Sequence, residues 1–273
     1  MCKSDAQTHS VKINQHALFL EERKILSLPN KIYSNKDNPK LLSYKKKLDD
    51  MEDKKFVIQY EGVDLSFDKT ILKSINLEIE KGEFVYLIGK TGSGKSSLLR
   101  SIYADIPIEQ GEAMVCGFDL NRIRKSQIPM LRRKLGIVFQ DFQLLKDRSV
   151  FDNLAFVLKA TGWKDKKVIR EKILQALDDV GLLNKTDEQA CDLSEGEMQR
   201  VAIARAIVNQ PELILADEPT GNLDPITSEE IVELLLKINK KHGTTVLMAT
   251  HDYIVIDKFR ARVIACEDGK IVY

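Results

Sequence analysis

The sequence predicts an α/β protein built around a mainly parallel sheet. Three observations predict it. Apolar runs of strand length alternate with segments whose apolar residues recur every three or four positions. A glycine-rich loop, Gly89-Lys90-Thr91-Gly92-Ser93-Gly94-Lys95-Ser96, joins one such run to a helix start. A stretch at about residues 145–190 carries helical patterning only, as an insertion between strands.

Each element follows from local pattern. Residues 1–54 contain no glycine, are rich in lysine and end in the acidic cluster Asp49-Asp50-Met51-Glu52-Asp53. Their apolar residues hold no sustained period, so they read as a mostly disordered extension. From Phe56 the texture changes. Phe56–Tyr60 and Ile71–Ile79 read as strands joined by a turn at Asp68-Lys69. Phe84-Val85-Tyr86-Leu87-Ile88 is a buried strand before the glycine-rich loop, and Lys95–Arg100 begins a helix after it. Gly111–Cys116 with Gly117 reads as a hairpin strand. Gly136–Phe139 is an apolar run. Val150–Ala160 and Val168–Val180 are amphipathic helices, and Ser194 opens another that runs to Val208. Leu213–Ala216, Thr245–Ala249 and Arg262–Cys266 are strands, with a helix over Glu229–Lys241.

Composition narrows the class. The chain has 273 residues and 43% hydrophobic content, enough for a real core. Its formal net charge of +1 gives no global basic field for nucleic acid. No apolar run approaches bilayer-spanning length, and the N-terminus shows no signal-peptide pattern. The four cysteines lie far apart with no CxxC pair, which suits reduced thiols in a cytoplasmic protein.

The glycine-rich loop fits G-x-x-x-x-G-K-[ST] at every fixed position, between the strand and the helix that the pattern requires. Glycines let the backbone wrap phosphates closely, and the helix N-terminus offers N–H groups and partial positive charge. Lys95 is expected at the β- and γ-phosphates and the Ser96 hydroxyl on Mg²⁺. Leu213-Ile214-Leu215-Ala216-Asp217-Glu218 is an apolar strand ending in two carboxylates. In a phosphate-loop protein the first, Asp217, is assigned to the metal and the second, Glu218, to polarising the attacking water.

Leu193-Ser194-Glu195-Gly196-Glu197-Met198-Gln199 resembles the LSGGQ signature of ATP-binding-cassette ATPases. It also reads as a capping box, with Ser194 at N-cap and Glu197 at N3. Further landmarks of that family follow in order: Gln140 at the glutamine loop, Gly221-Asn222-Leu223-Asp224 at the D-loop and His251 at the switch histidine. The resemblance covers roughly residues 56–273. It implies a phosphate-loop NTPase fold of cassette type: a mainly parallel sheet, an antiparallel β subdomain and a helical subdomain at about 145–190. It implies ATP and Mg²⁺ as ligands and an ATP-bound homodimer, with Ser194, Gly196 and Asp224 completing the partner's nucleotide site. Gly89 to Ser97 would hold the phosphates, Gln140 would sense metal and γ-phosphate, and His251 would contact the γ-phosphate. Phe67 falls where the family stacks an aromatic on adenine, with Tyr60 nearby as a second aromatic.

Within the family, the run from Ile128 to Leu154, above all Asp147-Arg148, resembles the FtsE-type cell-division ATPases. That implies an FtsX-like integral membrane partner and control of cell-wall hydrolases from the cytoplasmic face of the bacterial inner membrane. Phe142, Leu144, Leu145 and Val150 would border the docking groove. The alternative is the ATPase subunit of a lipoprotein-release or macrolide-type exporter. Two departures stand out. Glu195 and Glu197 replace the signature's usual Gly and Gln. A carboxylate about 4 Å from a phosphate would be repelled by about 4 kcal/mol at an effective dielectric of about 20, so Glu195 is expected to point away or be paired. The extension before Phe56 is the other, and Met51 is the expected native start, which an intact mass would test.

Overall fold

A computed structural model describes residues 55–67 and 69–273, the side chains of 67 and 69–71 excepted. The extension expected over residues 1–54, with Met51, lies outside the described residues.

Two sheets carry the fold. Strands β1 (Phe56–Phe67) and β2 (Lys69–Glu80) pair antiparallel, and β4 (Gln110–Val115) and β5 (Phe118–Asp119) extend them in the order β2-β1-β4-β5. The first two strands outrun their sequence-predicted lengths. Alternation continues through buried Val63, Leu65 and Leu72, across register shifts that the apolar pattern alone does not show. The second sheet has the order β10-β9-β3-β8-β7-β6. It contains β3 (Phe84–Ile88), β6 (Leu135–Val138), β7 (Leu213–Asp217), β8 (Thr245–Ala249), β9 (Arg262–Glu267) and β10 (Lys270–Val272). Its neighbours are parallel except for the β9–β10 hairpin. Parallel strands covered on both faces need no alternation, which is why β3, β7 and β8 read as continuous apolar runs.

Helices cover the sheets, and their starts are written in the sequence. Helix α1 (Lys95–Ile102) follows β3, and α2 (Ile128–Arg133) has a proline in its first turn. Ser149 caps α3 (Val150–Ala160) by accepting from Asp152 N, and Asp165 caps α4 (Lys166–Asp179). The capping box forms at α5 (Glu195–Ile207): Ser194 and Glu197 bond reciprocally. Asp224 caps α6 (Pro225–His242), which Gly243 ends in the left-handed conformation, φ 66. A short α7 (Tyr253–Lys258) precedes β9. Among the described residues no helix is long and apolar enough to cross a membrane.

Two apolar clusters fill the interior. One packs α3, α4, α5 and α6 together with β7 and β8, through residues such as Leu154, Ile173, Leu177, Val201 and Leu235. The other lies around α1 and takes side chains from both sheets. In it, the Tyr60 hydroxyl and Ser101 of α1 share a hydrogen bond of 3.0 Å. Burial holds the Tyr60 phenol far above its ordinary range. Gly136 of β6 lets α5 approach: a Cβ there would stand 2.5 Å from Ala206 O. At the far end of α4, the Asp179 carboxylate takes Lys241 at 2.5 Å and His242 at 2.9 Å, both from the last turn of α6. Burial pushes that carboxyl up, but bonds from Lys241, Gln175 and His242 outweigh it and hold it below the usual carboxylate range.

Candidate active site

The loop after β3 is shaped by its glycines. Gly89, Gly92 and Gly94 have φ of 148, 81 and 108, in the region that favours glycine. At Gly89 space forbids a side chain as well: a Cβ would lie 2.5 Å from Cys266 O and 2.6 Å from Ser93 Oγ. Ser93 N donates to Lys90 O at 3.0 Å and rounds the loop, while Lys90, Thr91 and Gly92 stay exposed at its tip. Helix α1 has no side-chain cap. The N–H groups of its first turn, at Lys95, Ser96 and Ser97, therefore have no intrahelical acceptor, which suits an anion. Lys95, only 5% exposed, folds back and donates to Gly89 O at 2.8 Å and Lys90 O at 3.3 Å.

Strand β7 delivers the two carboxylates to the same place. The Ser96 hydroxyl donates to Asp217 Oδ1 at 3.2 Å. Burial pushes the Asp217 carboxyl above the usual range, and the Ser96 bond offsets only part of that. Glu218 sits in the left-handed conformation, φ 47, which is strained for a residue with a Cβ. Its Oε1 lies 3.6 Å from Lys95 Nζ and its Oε2 3.0 Å from His251 Nδ1. The structure thus brings Lys95, Ser96, Asp217, Glu218 and His251 together.

The other expected residues sit elsewhere or remain open. Gln140 is exposed just past β6, and its carbonyl accepts from Asn222 Nδ2 at 3.0 Å. A Cβ at Gly221 would stand 3.0 Å from Gln140 Nε2, so the glutamine packs on the 221–224 segment. Asp224 is engaged in capping: bonds from Thr227 and Ile226 hold its carboxyl below the usual range. The Ser194 hydroxyl is tied to Glu197, whose carboxylate also lies 3.5 Å from Lys185. Glu195 is exposed at the first position of α5. Gly196 fits against α6, where a Cβ would stand 2.9 Å from Thr227. Phe67 ends β1, and its side chain is not among those described. Tyr60 is core.

Sequence reasoning passed over three residues that shape the neighbouring groove. The Arg205 guanidinium, from the last turn of α5, donates to Phe142 O at 2.7 Å and to Gln143 O. Those two residues are both left-handed, with φ of 59 and 49. Asn153, 1% exposed, donates to Leu145 O and accepts from Leu145 N. Asn209 links the Trp163 indole to Arg133 O. For Arg205 and Asn153 the available signal was a polar residue within a helix rich in apolar residues, whereas Asn209 lies in the turn after α5. Together they frame a groove of about 260 Å³ lined by Phe139, Leu145, Phe156 and Val157. Leu145 and Phe156 are exposed, whereas Val150, expected at the groove, is core.

Comparison with known proteins agrees with this geometry. The family described as ABC transporter matches residues 72–221, more than half of the chain. The cell division ATP-binding protein FtsE of Streptococcus pneumoniae is 44% identical over 218 residues, covering 79% of this chain and 94% of that protein. The chain belongs to the ABC transporter family, on its FtsE branch. The FtsE of Mycobacterium tuberculosis is 49% identical over 201 residues, 74% of this chain and 86% of that one. Among solved structures, the dimeric form of the bacterial ABC transporter cassette MJ0796 matches with a TM-score of 0.71 and 35% identity, over 79% of this chain and 97% of that one. The same cassette in a post-hydrolysis state bound to ADP and Pi matches with a TM-score of 0.70. As a member of the ABC family this chain is an ATPase that binds ATP. The two carboxylates at the end of β7 meet the loop before α1 through the Ser96–Asp217 and Lys95–Glu218 contacts.

Proposed function

We propose that this chain is the ATP-hydrolysing subunit of a bacterial division complex, acting with an FtsX-like membrane protein at the cytoplasmic face of the inner membrane. One observation carries the chemical half. A single strained carboxylate, Glu218, stands between Lys95 and His251, one residue after the buried Asp217 that Ser96 touches. The loop from Gly89 to Ser97 holds the phosphates by main-chain N–H groups, and Lys95 leaves its carbonyls for the terminal phosphates. A buried carboxylate with only partial compensation beside a hydroxyl is a donor pair that suits a small hard cation. Ser96 and Asp217 would hold Mg²⁺, with Gln140 as a further ligand, and the ion would supply positive charge to offset that on the transferring phosphate. Glu218 takes the proton of the attacking water, and His251 orients Glu218 and meets the γ-phosphate. Ser194, Gly196 and Asp224 serve the nucleotide of a second copy, as the dimeric form of a related cassette supports.

The division role rests on the FtsE relatives, which align over most of their own length, and on the exposed Asp147-Arg148 pair beside the groove. Opening and closing of the dimer moves the groove around Leu145 and Phe156, and with it the membrane partner. Purification from the native membrane tests this reading. An FtsX-like protein is the expected companion; an exporter permease in its place would refute the division role. Glu218→Gln should keep ATP affinity and lose about 10²–10⁴-fold in turnover, read by calorimetry and phosphate release.

A further inference from the structure

We infer that Gln199 is a positioning residue for Glu218, linking the signature helix α5 to the reaction centre within one chain. The inference rests on Glu218 being the base. Gln199 is fully buried, two turns or less from the Ser194 cap, with buried Ala202 and Ile203 one turn further along the same helix face. Its Nε2 donates to Pro219 O at 2.6 Å. Its Oε1 is buried with no partner. That asymmetry fixes which way the amide faces: turned over, its oxygen would confront the Pro219 carbonyl.

Burying an orphaned oxygen is unfavourable, and Gln199 carries that cost on its Oε1 while its Nε2 satisfies the Pro219 carbonyl. Its one hydrogen bond holds the Pro219–Thr220 peptide, the second peptide after Glu218. Glu218 is left-handed, and left-handed residues with a Cβ persist only where the surroundings over-determine them. Glu218 N donates to Ala249 O at 3.0 Å and Gly221 N donates to Glu218 O at 3.1 Å. Both bonds leave the Pro219 carbonyl free to turn, and Gln199 closes that freedom. Gln199 and the Ser194 cap belong to one continuous helix, so a displacement of its N-terminus would be carried to the Pro219 carbonyl and, through it, to the direction of the Glu218 carboxylate.

Two substitutions test the inference. Gln199→Met removes the grip and exchanges one orphaned oxygen, Gln199 Oε1, for another, Pro219 O. Its melting temperature should stay within about 4 °C of wild type. Its KM for ATP should stay within about twofold while kcat falls about 10–100-fold, the scale of a small misplacement of a reacting group. Gln199→Glu is the same shape. Protonated, its carboxyl O–H donates to Pro219 O; ionised, it repels that carbonyl. Burial raises the pKa of such a group, so this variant should regain turnover as pH falls, on a limb that wild type lacks. Wild-type kcat in Gln199→Met overturns the inference. So does a Gln199→Glu profile parallel to wild type. Glu218→Gln separates the two levels: if it still turns over, the reading of Glu218 as base fails, whereas an inactive Glu218→Gln with an unimpaired Gln199→Met sinks only the link.

Discussion

At the scale of residues, the site combines groups whose environments pull against their charge. Asp217 is the clearest. Burial raises its carboxyl, so the folded chain without a cation disfavours the ionised form. A folded-state pKa above the unfolded one means no effect below the ordinary carboxylate value, where both states are protonated. The destabilisation appears as pH rises through the raised value and is complete above it. Asp217→Asn should therefore melt at a higher temperature than wild type at neutral pH in the absence of magnesium, with the gain fading in acid. Calorimetric melts across that range check it. The same substitution should abolish turnover, since the group that costs stability is the one that would hold the metal. Lys95→Ala should lose at least about tenfold in ATP affinity, because it removes the buried cation that now rests on two main-chain carbonyls and the Glu218 carboxylate.

At the scale of elements, much was legible and the exceptions have physical causes. Fixed spacing made the Gly89–Ser96 loop readable, because no other residue type tolerates φ and crowding like those of Gly89. Strands β3, β7 and β8 were readable because both faces are buried. Helices α2 and α7 were not, since six residues give less than two turns of period. The left-handed turn at Phe142-Gln143 left no trace either: glycine is the usual mark, and Arg205 holds the turn without one. Gln199 was read only as the end of the signature segment, because its partner is a carbonyl twenty positions away. The ends of α4 and α6 show what long-range polar contacts add. The Asp179 side chain is only 4% exposed and takes two basic groups from α6. Asp179→Ala should cost about 2 kcal/mol in urea unfolding at neutral pH, as for hydrogen bonds to a charged group. Its folded pKa is depressed, so this contribution is present above the unfolded value and is lost as pH falls through the lower folded one. The difference from wild type should narrow accordingly in acid.

At the scale of the whole molecule, the six-stranded sheet sets the candidate site at the ends of β3, β7 and β8, where loop, carboxylates and histidine converge. Dimeric and post-hydrolysis forms of a related cassette match this chain over most of its length. Glu218→Gln with ATP and magnesium should accordingly sediment at twice the monomer mass of 31.0 kDa, and return to monomer with ADP. A monomer under both conditions would leave Ser194 and Gly196 without a nucleotide to serve.

Helix α1 ties that site to the thermal behaviour of the whole chain. Its first turn follows the proposed phosphate loop, while Leu98, Leu99 and Ile102 sit in the cluster shared by both sheets and Ser101 is bonded to Tyr60. On the proposed reading a nucleotide would grip a helix whose side chains pack against both sheets. A ligand bound only by the folded form adds about 2.7 kcal/mol when present at about 100 times its dissociation constant. ATP should raise the melting temperature of both sheets together, as one transition, so a simple melt becomes an assay for occupancy of the loop.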